Sequence, residues 1–164
     1  HPSTMKVEYV NPFIEATTSV MKQLLQLEPE RGQLSARPEC FTTQQVNIVF
    51  GVTGQIVGQV LFGMSIVTAD KIASKMLGTT VVTFDQLAAS AIGELGNMIC
   101  GNSISVLADA GYRCDITPPT IVRGTNVRIS TLDVPALVIP LKLAEMGAFE
   151  VNVSLKERLT AKAA

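Results

Sequence analysis

From Val46 to Val67 the chain is almost continuously apolar, and this stretch decides between a membrane-spanning and a globular fold. A bilayer-spanning helix needs roughly 20 apolar residues, so the length is sufficient. Asn47, Thr53, Gln55 and Gln59 interrupt the stretch, however, and Gly54 divides it. Its halves, Gln45–Val52 and Gln55–Met64, are β-rich runs on either side of Thr53-Gly54. That arrangement predicts an antiparallel hairpin and no membrane insertion. The spacing of Gly51, Gly54 and Gly58 is neither G-x-G-x-x-G nor a Walker loop, and no helix follows directly, so a phosphate cradle is not expected.

Around the hairpin, Asn11-Pro12 is placed to open a first helix, because proline suits a first turn. Phe13, Ile14, Val20, Met21, Leu24, Leu25 and Leu27 give that helix an apolar face, and Pro29 stops it. Gln33–Pro38 reads as a short strand. Thr68-Ala69-Asp70 caps a short helix ending at Leu77-Gly78. Thr83 caps a long helix closed by Gly111, and Ile116–Thr120, with two prolines, reads as an irregular loop. Period-two segments follow near Asn126–Thr131, Ala136–Leu143 and Phe149–Lys156, as an antiparallel meander. The expectation is one α+β domain, an antiparallel sheet packed against long helices.

The 164 residues suit one domain, with residues 5–158 as its extent. His1-Pro2-Ser3-Thr4 ahead of Met5 reads as an expression-tag remnant. His1 is the sole histidine. Without it, Ser-His-Asp and Cys-His catalysis, histidine-ligated zinc and a histidine pH switch are all unavailable. Cys40, Cys100 and Cys114 form neither a close pair nor a metal motif, so they read as reduced thiols. No tightly held metal is expected. Net charge -1 and pI near 5.8 give no basic surface for nucleic acid. No charged n-region leads into an apolar signal segment, so the expected location is cytoplasmic. Only 16% of residues are charged, well below the roughly 25% of typical soluble proteins, which points to a homodimer that hides apolar surface.

On the long helix, Phe84, Leu87, Ala88, Ala91, Leu95, Met98, Ile99 and Val106 fall in one arc and form the expected buried stripe. Ser90, Glu94, Asn97 and Gly101 line the opposite side. Gly93, Gly96 and Gly101 each cost about 0.8–1 kcal/mol relative to alanine inside a helix. Either another element packs on the bare backbone, or a partner approaches it around Glu94 and Asn97.

Ser90-Ala91-Ile92-Gly93-Glu94-Leu95-Gly96-Asn97 resembles the S-x-x-x-E-x-x-N signature of the CheC/CheX/FliY phosphatase family. Asn11–Thr17, the hairpin running into Phe62-Gly63-Met64-Ser65, and Ala69–Gly78 resemble its CheX-like members. The likeness covers most of the chain. It departs from the family in two places. The family's proline 23 residues after the asparagine would fall on Thr120, beside Pro118-Pro119. The second E-x-x-N of CheC-type relatives is absent, because Glu15 is followed by Thr18.

The resemblance implies a CheC-like fold and a protein aspartyl-phosphate phosphatase that acts on a phosphorylated CheY-like response regulator. Glu94 and Asn97 would be the catalytic pair. Asn97 would orient water and Glu94 would meet a lysine of the partner, which would itself supply Mg²⁺. Ser90, Gly101 and Arg123 would assist docking, although Arg113, Arg123 and Arg128 also read as scattered solvated charges. The same family fold includes flagellar switch modules that bind phosphorylated CheY without hydrolysing it. A structural homo-oligomer is the third reading.

Overall fold

The computed structural model describes residues 6–38, 41–42, 44–124, 127–128 and 134–159. The β-rich runs form β4 (Val46–Gly54) and β5 (Ile56–Met64), an antiparallel hairpin pairing Val46 with Met64 and Val52 with Gly58. Gly54, at φ 119, takes a backbone conformation at the turn that β-branched residues avoid. A second long hairpin, β9 (Ala136–Leu143) and β10 (Gly147–Glu157), lies beside the first. β10 pairs antiparallel with β5 from Phe149–Met64 to Glu157–Ile56. The central strands are therefore contributed by both halves of the chain.

Short strands close the sheet on each side. β1 (Glu30–Arg31) and β2 (Ser35–Arg37) pair with β9. β6 (Cys114–Ile116) and β7 (Thr120–Arg123) pair with β4. The order along the main path is β1-β9-β10-β5-β4-β6. A separate ribbon joins β3 (Phe41–Thr42) to β8 (Val127–Arg128). The meander is thus corrected in its first strand: β8 pairs with β3 in a separate ribbon, while β9 and β10 pair antiparallel as expected. Only 117–119 interrupts the strands of the supposed irregular loop. Asn126 and residues 129–131 of the expected strand lie outside the described residues.

Helices α1 (Val7–Leu25), α2 (Ile66–Leu77) and α3 (Gln86–Asp109) pack on one another and on the sheet. α1 begins ahead of Asn11-Pro12, so Pro12 lies inside it. Tertiary contact explains the extra turn: Tyr9 and Val10 are buried, and the Tyr9 ring meets Tyr112 edge-on at 5.3 Å. α2 is capped by Ser65, whose hydroxyl accepts from the Thr68 amide at 3.1 Å, rather than from Thr68 onward. Its end at Gly78, with φ 69, agrees with the sequence. α3 is capped by Asp85, not Thr83, and Gly111 follows its end at φ 98.

The buried arc of α3 is also displaced from expectation. Leu87 and Val106 are exposed at 59% and 46%, while Ile92, Gly93, Gly96, Cys100, Ser103 and Leu107 are buried. A helix covered by α1 and α2 as well as by the sheet buries more than a single stripe. Below it, Phe62 packs against Phe50 and Phe149, with ring centroids 6.0 and 5.7 Å away.

Candidate functional site

The orientation of α3 is set by contacts on its buried side. Gly96 sits over β4, where an added Cβ would lie 2.7 Å from the Phe50 ring and 3.3 Å from the Ile48 Cγ2. At the helix start, the Asp85 carboxylate accepts from the Ala88 amide at 2.8 Å. Further along, the buried Ser103 hydroxyl donates to the Ile99 carbonyl at 2.7 Å, with the Pro12 carbonyl at 3.3 Å. Seating Gly96 inward turns Ser90, Glu94 and Asn97 outward, and all three are exposed.

The facing wall comes from the segment between β6 and β7. The Thr117 amide donates to the Gly51 carbonyl at 2.9 Å, and the Gly51 amide donates to the Thr117 hydroxyl at 2.8 Å. These two bonds tie residues 117–119 to β4. Pro119 then approaches α3, its Cγ 3.5 Å from where a Gly93 Cβ would stand. The result is a groove of about 410 Å³ lined by Gln86, Ala89, Ser90, Gly93, Glu94, Asn97, Pro119 and Ile121. The proline wall is therefore Pro119. Thr120, where the family spacing would put it, pairs with Val49 in the sheet.

Glu94 and Asn97 are separated by about 4.5 Å of helix rise. Among the described residues neither has a side-chain hydrogen-bond or ion-pair partner; the ion pairs are Lys6–Glu8, Lys22–Glu28 and Arg37–Glu150. A carboxylate and a carboxamide are thus presented side by side with their bonding capacity unspent. The carboxylate only accepts, whereas the amide both donates and accepts.

The other expected residues are placed differently. Gly101 is half-buried on the same line but does not line the groove. Arg123 lies with its guanidinium 5.3 Å from the Phe84 ring centroid, at the start of α3 and outside the groove lining. Burial raises the pKa of nearby Asp70, the charge of Arg123 opposes that rise and Asp85 adds to it. Arg113 stands by the β4–β5 turn, where its amide donates to the Gln55 side chain at 2.6 Å. The Arg128 side chain lies outside the described residues. Gln86 and Ile121 were not singled out from sequence. Gln86 falls one turn before Ser90, so the helical spacing carried its signal. Ile121 is brought in only by strand pairing.

Among the described residues no cluster of three or more His, Cys, Asp or Glu could hold a metal. The groove's donor set of one carboxylate, amides and a hydroxyl does not fit a dedicated Mg²⁺ site. Cys100 is fully buried, and burial pushes its thiol well above its usual pKa, disfavouring the thiolate. Cys114 is raised by burial and by Asp115.

Residues 46–142 match the family model described as chemotaxis phosphatase CheX, a span that includes the hairpin, α3 and the proline wall. The chain is also 34% identical over 153 residues to the CheY-P phosphatase CheX of Thermotoga maritima, covering 93% of this chain and 98% of that one. The chain belongs to the CheX family. CheX of Desulfovibrio desulfuricans has a similar structure, with a TM-score of 0.80 and 27% identity over 92% of this chain and 99% of the other. CheX in a CheX–CheY–BeF₃–Mg²⁺ complex from Borrelia burgdorferi is similar at TM-score 0.79 and 31% identity, covering 93% of this chain and all of that one. Its CheC-like α+β fold is therefore shared with these proteins. No described helix is long and apolar enough to cross a membrane.

Proposed function

We propose that this chain hydrolyses the aspartyl phosphate of a phosphorylated CheY-type response regulator, inserting Glu94 and Asn97 into the regulator's phosphorylated pocket. One observation carries the reading: both side chains stand in one exposed groove, one turn apart, without side-chain partners among the described residues. Membership of the CheX family and the likeness to the Thermotoga phosphatase support it.

An aspartyl phosphate is an activated acyl phosphate, so catalysis consists mainly of positioning and charge stabilisation. In this reading the water oxygen attacks phosphorus in line with the leaving carboxylate oxygen. The bond from phosphorus to that oxygen breaks, giving inorganic phosphate and a free aspartate. Asn97 accepts a hydrogen bond from the water through its amide oxygen and donates from its NH₂ to a phosphoryl oxygen. It orients the water and takes up no proton. Glu94 pairs with a lysine of the regulator and fixes the docking register. Ser90 contacts the rim. The regulator supplies Mg²⁺ and the acidic pocket around it.

The test is single-turnover phosphate release from a phosphorylated CheY-type receiver. Asn97→Ala should slow release by on the order of 10²-fold, the scale of a positioned catalytic group, while binding to the BeF₃–Mg²⁺-loaded receiver changes far less. An Asn97→Ala protein that binds and hydrolyses at the wild-type rate would falsify the mechanism. Wild-type protein that binds without releasing phosphate would instead be a noncatalytic module of the flagellar switch type.

A further inference from the structure

Leu87 is an apolar side chain left 59% exposed by the packing of the described residues, on a helix whose other flank is densely buried. At about 100° and 1.5 Å per residue, Leu87, Ser90, Glu94, Asn97 and Gly101 project within about 80° of one another along about 21 Å of helix. The exposed leucine thus continues the line of the candidate pair. At the opposite end, half-buried Gly101 has no atom of the described residues within 4 Å of where a Cβ would stand, apart from its own helix backbone, so space is open on that side.

A partner that receives Glu94 and Asn97 must also cover what lies beside them. A standard interface buries about 800 Å² per partner, a patch of roughly 16 Å radius. Leu87 is about 10 Å along the helix from Glu94, inside that radius and on the same face. Val106, also exposed, is about 14 Å beyond Asn97 and turned about 180° from it, so it falls outside. A side chain that becomes fully desolvated near an interface centre carries a larger share of binding than a rim contact, and a leucine buried there removes its apolar surface from water.

We propose that Leu87 is the apolar anchor of the docking surface, seated against a nonpolar patch of the regulator beside the pocket that Glu94 and Asn97 enter. This inference rests on the proposed phosphatase reading and adds a specificity-determining contact to it. Leu87 touches neither water nor phosphoryl group, so its effect falls on capture of the regulator and not on the chemical step.

The experiment measures steady-state phosphate release by the full chain from CheY-type receiver domains phosphorylated by a small-molecule donor. Leu87→Ser should raise KM about ten-fold, the scale of losing a buried leucine, with kcat within about two-fold of wild type. Leu87→Met, which keeps the apolar volume, should restore KM to within about two-fold of wild type. Val106→Ser is the control for loss of an exposed apolar side chain and should leave both constants unchanged. A wild-type KM in Leu87→Ser, or an equal rise in Val106→Ser, overturns the anchor. A second arm measures affinity for BeF₃–Mg²⁺-loaded receivers. There a ten-fold weakening in Leu87→Ser upholds the anchor even if no hydrolysis occurs, an outcome that would sink the phosphatase reading alone. Equal affinity of Leu87→Ser and wild type, or no binding by wild type, overturns it.

Discussion

Gly96 lies directly over Phe50, so close that a β-carbon on the helix would stand 2.7 Å from the ring. Phe50 is fully buried and meets Phe62 edge-on, which leaves it little room to retreat. Gly96→Ala should therefore destabilise the fold by about 1–3 kcal/mol, the usual effect of overpacking. Gly101→Ala meets open space and should stabilise it by about 0.5–1 kcal/mol through helix propensity. Urea unfolding of both variants checks the opposite signs, and two shifts of the same sign would contradict this packing.

Asp85 holds the first turn of the helix that carries the site. Asp85→Ala removes its bond to the Ala88 amide and should cost about 0.5–2 kcal/mol. For a chain of this size each kcal/mol lowers Tm by about 2–4 °C, which calorimetry resolves easily. Thr83→Ala should leave Tm nearly unchanged, since Thr83 is exposed and is not the cap.

Glu94 and Asn97 should fail differently when removed. Glu94→Ala should weaken binding to a loaded receiver by about an order of magnitude or more, with activity partly recovered at saturating enzyme. Neither this change nor Asn97→Ala should shift Tm appreciably, because both side chains are exposed and without partners among the described residues. Identical kinetic defects in the two variants would remove the division of roles.

We propose a homodimer from the low charge content, because so few charges leave apolar surface to be covered by a second copy. The strand Ala136–Leu143 offers no open edge in support, since β9 lies inside the sheet between β1 and β10. Sedimentation equilibrium at micromolar concentration should give about twice the 17.5 kDa chain mass. A monomer mass would end the assembly proposal and leave the groove chemistry untouched.

By itself the sequence determined the features that depend on near neighbours. The β4–β5 hairpin followed from two β-rich runs around Gly54, and the helix ends at Gly78 and Gly111 followed from glycines that take positive φ. That Ser90, Glu94 and Asn97 share one face of the helix followed from helical spacing. Tertiary structure decided what depends on distant residues. The first turn of α1 is supported by contact between Tyr9 and Tyr112, and the buried arc of α3 by Phe50 and Ile48. Leu87 looks like core on a helical wheel, but it stands 59% exposed, with no element among the described residues covering it. Pro119, not position 120, forms the groove wall because Thr117 bonds to Gly51 and Thr120 pairs with Val49. Periodicity states which residues share a face, while only the packed chain states whether anything lies against that face.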